Sequence, residues 1–177
     1  SSCRRMPEPV DVRRLRALEL ADYKALRDAM LAAHPDAFTS DAQAESARPA
    51  QAYLPRLGLD RPQGGHFTLG AWDGRALVGA VSCERDMRLK VRHVGHLIGM
   101  MVADHAAGRG IGKALLQECV ALARADGLEV LTLSVTAGNA AAEHLYHRAG
   151  FVRYGTQPRA VKLDGRYHDK HLMILSL

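Results

Sequence analysis

A run of three closely spaced glycines, AAGRGIGKAL at residues 106–115, is the feature that most constrains how this chain folds. An apolar stretch that ends at Val102 precedes the run, and a stretch with helical spacing follows it. Gly110 and Gly112 have no Cβ, so another group can approach the main chain closely there. A turn at a helix N-terminus also offers unpaired N–H groups and the positive end of the helix dipole. The run therefore predicts a strand–turn–helix unit that binds a phosphorylated ligand.

Two other phosphate-binding motifs do not fit this spacing. A Walker-type loop requires a glycine where Ala107 stands and Ser or Thr where Ala114 stands. A Rossmann fingerprint that starts at Gly108 requires a third glycine at Lys113. Arg109 and Lys113 can add positive charge to the turn. At this point a turn whose glycines merely reverse the chain remains an alternative.

The hydrophobic pattern around this unit predicts a mixed α/β (α+β) fold, with a mostly antiparallel sheet flanked by helices. Asp73-Gly74 predicts a hairpin between two strands. A polar, proline-containing stretch at 34–49 is expected to be a loop. Strands are predicted over 10–18, 66–72, 76–84, 93–102, 128–135, 151–161 and 170–177, and helices over 19–33, 50–57, 110–127 and 139–150.

Composition narrows the class of partner. The 177 residues suit one domain, expected to cover the chain with residues 1–8 outside its folded part. The net charge of +5 suits a phosphorylated ligand, but the charge is scattered and aromatics are 5%, so no nucleic-acid partner is expected. No apolar run approaches the roughly 20 residues that span a bilayer, so no membrane partner is expected. Cys3, Cys83 and Cys119 are far apart, which predicts neither disulfide nor zinc site and favours the cytoplasm.

Two motifs, in order along the chain, resemble those of the GCN5-related N-acetyltransferase (GNAT) family. AGRGIG at 107–112 resembles Gln/Arg-x-x-Gly-x-Gly/Ala, with Ala107 in place of the first Gln or Arg. NAAAEHLYHRAGF at 139–151 matches Asn-x-x-Ala-x-x-Leu-Tyr-x-x-x-Gly-Phe at every named position. The resemblance is firm over residues 66–161 and looser in the N-terminal third, and it implies a single domain with the GNAT acyl-CoA N-acyltransferase fold.

The resemblance implies that acetyl-CoA is the acetyl donor. The Met100 N–H is expected to face the thioester carbonyl, and the Val102 backbone to bind the pantetheine arm. Arg109 is expected to compensate for Ala107. The residues expected to bind the donor lie on the strand before the turn, in the turn, and on the helix of the second motif: Met100, Met101, Val102, Ala107, Gly108, Arg109, Gly110, Ile111, Gly112, Lys113, Asn139, Ala142 and Tyr146.

Tyr146 is the residue that we expect to act as general acid. A phenol with an ordinary pKa of about 10 stays protonated beside a thiol of about 8.5 and can donate to the leaving thiolate. Ala142, one turn earlier, leaves room on that side of the helix. The alternative is a packed tyrosine whose hydroxyl binds a carbonyl. Asn139 is expected to bind the pantetheine amides, to cap its helix, or to do both.

His96 and Glu84 are the candidates for the base that takes the proton of the amine. The resemblance places His96 where some relatives carry a glutamate, and strand alternation puts it on one face with Ile98, Met100 and Val102. A neutral imidazole is a suitable base near neutral pH. A purely structural histidine and a water relay remain alternatives. No metal site is expected, because the helical pair His144 and His147 has no third ligand at a suitable spacing.

The acceptor pocket, by resemblance, is built from residues 33–48 and 155–170. Asp36, Asp41 and Glu45 favour a cationic amine, whereas four basic residues act against it: Arg48, Arg159, Lys162 and Arg166. The acceptor is therefore expected to be an amine-bearing small molecule or the N-terminus of a protein or peptide, with no choice between them.

The function implied is acetyl transfer to a primary amine by direct attack, without an acetyl-enzyme. The alternative is a non-catalytic acyl-CoA-binding sensor or partner module, which the glycine turn supports equally well. A homodimer through the C-terminal strands is also expected, because HLMILSL at 171–177 would be an apolar sheet edge if left uncovered.

Overall fold

Seven strands form one mixed sheet in the computed structural model, which describes residues 10–177. They are β1 Asp11–Arg14, β2 Phe67–Asp73, β3 Ala76–Arg85, β4 Val94–Val102, β5 Val130–Thr136, β6 Val152–Leu163 and β7 Arg166–Ser176. Their order across the sheet is β1-β2-β3-β4-β5-β7-β6. Neighbouring strands are antiparallel except for β4 and β5. The predicted mostly antiparallel sheet is thus confirmed.

Helices cover both faces of this sheet. They are α1 Leu20–Ala33, α2 Ala42–Ser46, α3 Ile111–Ala125 and α4 Ala140–Arg148, with 3₁₀ segments at Ala17–Glu19, Ala50–Leu57 and Asp104–Ala106. Gly79 of β3 faces Ile111 of α3, whereas Ser82 of β3 bonds to Thr68, which bonds to the Arg56 main chain. Because alternate residues of a strand face opposite sides, α3 lies on one face and the Ala50–Leu57 segment on the other.

The core is built where α3 crosses the middle strands. Ile111, Leu115, Leu116, Cys119 and Ala123 recur at helical spacing and are all almost fully buried. They contact the strand side chains on the α3 side of β2, β3 and β4. This apolar stripe fixes the position of the α3 N-terminus, and with it the glycine turn, at the end of β4.

Three sequence predictions are wrong in detail. Residues 34–49 are not all loop, because Asp41 accepts a hydrogen bond from Ala44 N at 2.9 Å and begins α2. The last strand begins at Arg166 rather than at residue 170, because a hairpin pairs it with β6. HLMILSL is not an edge, since β7 lies between β5 and β6. Cys3 and residues 1–8, also named in predictions, lie outside the described residues.

A β-bulge in β4 changes which residues share a face. Ser82 opposes Ile98 and Ala80 opposes Met101, so two residues of β4, Gly99 and Met100, occupy the place of one on β3. Gly99 has φ of +62°, a conformation that side chains with a Cβ rarely adopt. The bulge redirects the strand beyond Gly99 and offsets its alternation by one residue.

No helix within residues 10–177 is long and apolar enough to cross a bilayer. In the same range, no group of three His, Cys, Asp or Glu side chains is placed to hold a metal ion.

Candidate active site

The candidate site is a cleft that opens where β4 and β5 separate. The two parallel strands pair only over Val94–His96 and Val130–Thr132, although both continue beyond these residues. The cleft has a volume of about 540 Å³. It is lined by the separated parts of β4 and β5, the glycine turn, the first turn of α3, and α4. Unpaired strand edges on both sides leave main-chain groups free to bind an extended ligand.

The glycine turn closes one end of this cleft. Gly108 and Gly110 have φ of +79° and +74°, which residues with a Cβ rarely adopt. A Cβ at either glycine would meet nothing within 4 Å, so the turn borders open space. Gly110 is the N-cap of α3 and makes no side-chain cap, so the first-turn N–H groups have no partner within the helix. Such N–H groups and the helix dipole suit a diphosphate.

Other residues of the turn have separate roles. A Cβ on Gly112 would lie 2.9 Å from Leu145 Cδ2, so this glycine lets α4 pack closely against α3. Ala107 and Lys113 line the cleft. Arg109 Nη1 pairs with Asp73 Oδ2 at 2.7 Å, and its side chain is not part of the cleft wall. The expected compensation for Ala107 by Arg109 stays a prediction.

The N-terminus of α4 also faces the cleft. Asn139 Oδ1 accepts a hydrogen bond from Ala142 N at 3.4 Å, so Asn139 is the N-cap of α4. Asn139 and Ala142 both line the cleft. The capping bond uses only the oxygen of the side-chain amide, which leaves its NH₂ group for a ligand.

Tyr146, on α4, lines the cleft although only 7% of the residue is exposed. Its ring packs edge-on against Phe151 at 5.9 Å between centroids. Its hydroxyl makes no hydrogen bond to any residue in the described part of the chain, unlike the hydroxyl expected of a structural tyrosine. Burial, and then the nearby Cys119 thiol, raise the pKa of Tyr146 above its ordinary value, so the phenol stays protonated.

His96 and Glu84 lie next to each other on paired strands but outside the wall of the cleft. His96 Nδ1 lies 2.6 Å from Thr132 Oγ1, and its Nε2 is 3.8 Å from Asp86 Oδ2. Glu84 is exposed.

The prediction that His96 shares a face with Met100 and Val102 is wrong. The bulge at Gly99 places Met101, rather than Met100 or Val102, on the face of His96 and Ile98. That face is the one that carries the Ala50–Leu57 segment.

Sequence reasoning missed a pair at the end of the cleft near the glycine turn. His34 Nε2, at the C-terminus of α1, lies 2.7 Å from Asp104 Oδ1, just after β4. Both residues line the cleft, together with Met30 and Phe38 from α1 and the following loop. The only available signal was that His34 belongs to the range assigned to the acceptor pocket.

Two of the three acidic residues named for the acceptor pocket, Asp41 and Glu45, have structural partners in the loop after α1. Asp41 caps α2, as described above. Glu45 is 7% exposed and binds Tyr53, Arg27 and Arg48. Burial raises the pKa of Glu45, but the hydrogen bonds from Tyr53 and Arg48 and the nearby arginine charges outweigh it, and the pKa falls below its ordinary value. The argument for a cationic acceptor therefore loses its main support.

Comparison with known proteins bears on what this cleft does. The sequence profile of the acetyltransferase (GNAT) family matches residues 23–151. L-methionine sulfoximine/L-methionine sulfone acetyltransferases from Pseudomonas paraeruginosa and Pseudomonas aeruginosa are 40% identical to the chain over 76 residues. That alignment covers 43% of this chain and 44% of each relative, so it spans less than half the length of these curated relatives.

Solved structures share the whole fold. An acetyltransferase of the GNAT family from Streptococcus pneumoniae is 27% identical, with a TM-score of 0.82 over 96% of this chain and 100% of its own. A GNAT superfamily phosphinothricin acetyltransferase from Sinorhizobium meliloti, in complex with acetyl-CoA, is 21% identical, with a TM-score of 0.82 over 97% of this chain and 89% of its own. The latter likeness is one of fold.

Proposed function

The chain belongs to the acetyltransferase (GNAT) family, and we propose that it transfers an acetyl group from acetyl-CoA to a primary amine by direct attack. The observation that carries this proposal is the cleft between β4 and β5, with a helix N-terminus at one end and the Tyr146 side chain in its wall. One family-typical ligand accounts for both features: its diphosphate suits the glycine turn, and its thioester suits a position beside Tyr146.

The main chain supplies most of the binding in this proposal. The N–H groups that begin α3 bind the diphosphate, and the free edge of β4 binds the pantetheine arm through Val102. Asn139 adds its side-chain NH₂ group. The Met100 N–H, at the bulge, donates to the thioester oxygen as negative charge develops on it. Donors that are fixed in this way before the reaction contribute about 10²- to 10³-fold each to turnover.

Proton transfer completes the reaction. The amine nitrogen attacks the carbonyl carbon, the C–S bond breaks, and the acetylated nitrogen loses a proton. The Tyr146 hydroxyl donates its proton to the departing thiolate, and solvent restores that proton. The raised pKa of Tyr146 keeps the phenol protonated until the thiolate forms. His96 is the proposed base, with Glu84 or a water molecule as the alternative.

The proposal has two candidate acceptors. The first is an amine-bearing small molecule, because the relatives from Pseudomonas are named for small amino-acid analogues. The N-terminus of a protein or peptide is the second. A cleft of about 540 Å³ that must also take the pantetheine arm leaves limited room, which suits a small acceptor.

Two further parts of the proposal concern the cell and the assembly. The buried thiols of Cys83 and Cys119 are free, which suits a reducing cytoplasm. A homodimer through the C-terminal strands is supported by exposed Val152 and Tyr154 on β6, which is an edge strand.

Tyr146→Phe tests the proposal. The variant keeps the ring that packs on Phe151 and removes only the hydroxyl, so we expect an unchanged melting temperature and an unchanged acetyl-CoA affinity. We expect kcat to fall about 10²- to 10⁴-fold, the usual effect of losing a general acid. Turnover is measured as release of free CoA thiol over a panel of amines.

Tyr154→Phe on the exposed strand β6 is the matched control and should leave kcat unchanged. Wild-type turnover in Tyr146→Phe would remove this tyrosine from the mechanism. Acetyl-CoA binding by the wild type without turnover of any amine would favour the alternative function, a non-catalytic acyl-CoA-binding module.

A further inference from the structure

A group of cations lies on the face of β4 opposite α3, at the bulge, and includes buried Arg27 and half-buried Arg56. A Cβ built on Gly99 would lie 3.1 Å from Arg56 Nη1 and 3.9 Å from Arg27 Nη1. Gly99 itself lines the cleft. Because Gly99 has no side chain, Arg56 Nη1, the Tyr23 hydroxyl and Arg27 Nη1 lie close to its main chain, at the residue next to Met100.

The two guanidinium groups are held in fixed positions. Arg56 Nη1 donates to Tyr23 Oη at 2.7 Å, and Arg56 also stacks on the Tyr53 ring at 5.5 Å. Arg27 is 4% exposed, and its Nη2 donates to Ser40 Oγ at 3.1 Å. Within the described residues Arg27 Nε is buried and donates no hydrogen bond. Its ion-pair partner, Glu45 Oε2, lies 3.6 Å away, which is beyond hydrogen-bond distance, so this donor is left without a hydrogen bond.

Lys170, on β7, adds a third cation, which contacts the same loop after α1 as Arg27 does. Its ammonium donates to Thr39 Oγ1, and Thr39 precedes the Ser40 that binds Arg27. Burial lowers the pKa of Lys170, which a bound anion would counteract.

Among the described residues, the carboxylate of Glu45 pairs with a member of this group. Glu45 pairs with Arg27 at 3.6 Å and with Arg48 at 3.1 Å, so its charge is shared between two cations. Arg56 has a phenol and a ring as its partners and lacks an acidic one in the part of the chain described. The local charge around Gly99 is therefore positive, and it attracts an anion.

The position of these cations relative to the proposed acetyl-CoA site indicates that the anion is part of the acceptor molecule. The donor is proposed to enter from the side of α3 and α4. Direct attack requires the amine to approach the thioester from another side. Met30 of α1, the helix that carries Arg27, also lines the cleft, as does Phe38 of the loop after it. An acceptor that approaches Met100 from the side of α1 meets the cations next to its amine.

We propose that Arg56 and Arg27, beside Gly99, with Lys170 nearby, bind an oxyanion on the acceptor, so that the acceptor is a small primary amine that carries a carboxylate close to the amine, an α-amino acid. This inference rests on the proposed acetyl transfer and specifies its substrate class. A guanidinium binds a carboxylate through two parallel hydrogen bonds, which orients the amine as well as holding it.

The test compares amino acids with their own amides. Acetylation is measured for the natural L-α-amino acids and L-methionine sulfone, and for the α-carboxamide of each. The amide keeps the amine but loses the anion, and its amine is less basic because a neighbouring negative charge is gone. Amine reactivity alone would therefore favour the amide. We expect kcat/KM to favour the amino acid by at least roughly 10-fold, the worth of a hydrogen bond to a charged group.

Arg56→Gln removes the cation without touching the donor site. We expect KM for the amino acid to rise roughly 10- to 100-fold, with kcat/KM for the amide changed by less than about threefold. Arg56→Lys should recover part of the loss. Arg48→Gln is the matched control, because Arg48 stacks on the same Tyr53 ring and pairs with Glu45, but its side chain is 45% exposed. It should leave the preference unchanged.

Equilibrium binding of the amino acid to the protein loaded with CoA is measured in parallel, and it does not depend on turnover. Binding that weakens in Arg56→Gln but not in Arg48→Gln supports the inference, even if no amine is acetylated and the proposed function fails. Equal use of acid and amide, an equal loss of both in Arg56→Gln, or no binding of any amino acid would overturn it.

Discussion

Buried hydroxyl groups in this chain fall into two chemical situations at the scale of single residues. Tyr53 donates to the Glu45 carboxylate, and its ring is surrounded by arginines. Tyr146 is also buried, yet its hydroxyl makes no hydrogen bond to a described residue, and its side chain lines the cleft. The first arrangement fixes a structural network, whereas the second leaves a proton available for transfer. Helical spacing alone does not distinguish the two tyrosines, and Tyr146 was singled out only by the motif at 139–151.

The base is a question of the same scale. His96 is oriented by Thr132 and lies on the face that we assign to the acceptor, whereas Glu84 is exposed on the neighbouring strand. We expect His96→Ala to lower kcat about 10²-fold or more and to remove the acidic limb of the pH–rate profile. Glu84→Gln should change neither.

The measurement is kcat/KM from pH 5 to pH 9 for both variants and the wild type. An unchanged profile in His96→Ala excludes this histidine, and a lost limb in Glu84→Gln assigns the base to the glutamate. Unchanged profiles in both variants would leave a water relay as the acceptor of the amine proton.

Two irregularities of the elements create the site. The bulge at Gly99 redirects β4 away from β5, and the turn at Gly108 and Gly110 places the start of α3 at the mouth of the resulting gap. Both irregularities depend on positive φ, which glycine adopts at little cost. The regular elements around them, above all α3, fix the position of the glycine turn relative to the bulge.

The glycine turn can be tested with a control on the same helix. Gly110 and Gly127 flank the two ends of α3, have φ of +74° and +82°, and have open space where a Cβ would be built. We expect Gly110→Asp and Gly127→Asp each to lose about 1–2 kcal/mol of stability through backbone strain, and Gly127→Asp to lose somewhat more because its negative charge lies at the C-terminal end of the helix dipole. Only Gly110→Asp should weaken CoA binding, by at least roughly 10-fold, because it adds a negative charge beside the diphosphate.

Calorimetric titration with CoA and thermal unfolding separate the two effects. Equal CoA affinity in the two variants would show that the diphosphate is held elsewhere. The glycine turn would then no longer be assigned as the diphosphate-binding site.

The whole molecule is organised so that two substrates meet through one sheet. Helices α3 and α4 cover the side from which the donor is proposed to enter, and α1 with the Ala50–Leu57 segment covers the side of the acceptor. The separation of β4 from β5 joins the two sides. Both strands continue into the separated region. A donor bound there would therefore contact β4 and β5 where the two strands do not pair with each other.

Contact with both strands predicts a gain in stability on donor binding. At an acetyl-CoA concentration of 100 Kd the free energy of unfolding should rise by about 2.7 kcal/mol. For a domain of this size that corresponds to a rise in melting temperature of roughly 5–10 °C. Differential scanning fluorimetry with acetyl-CoA, and with adenosine as a control that lacks the diphosphate, measures it. A shift of the same size with adenosine would contradict binding through the glycine turn.

The sequence by itself determined the local units: the strand, glycine turn and helix, and the capped helix with Tyr146. These follow from spacing and from glycine chemistry, which act within a few residues. The order of strands and helices along the chain also indicated the mostly antiparallel sheet. Only the tertiary structure decided which face of the sheet carries His96. It also decided the pairing of Arg109 with Asp73 and of Glu45 with Arg27 and Arg48. It also brought Arg27 and Arg56 to Gly99, because a bulge and long-range packing depend on partners distant in the chain.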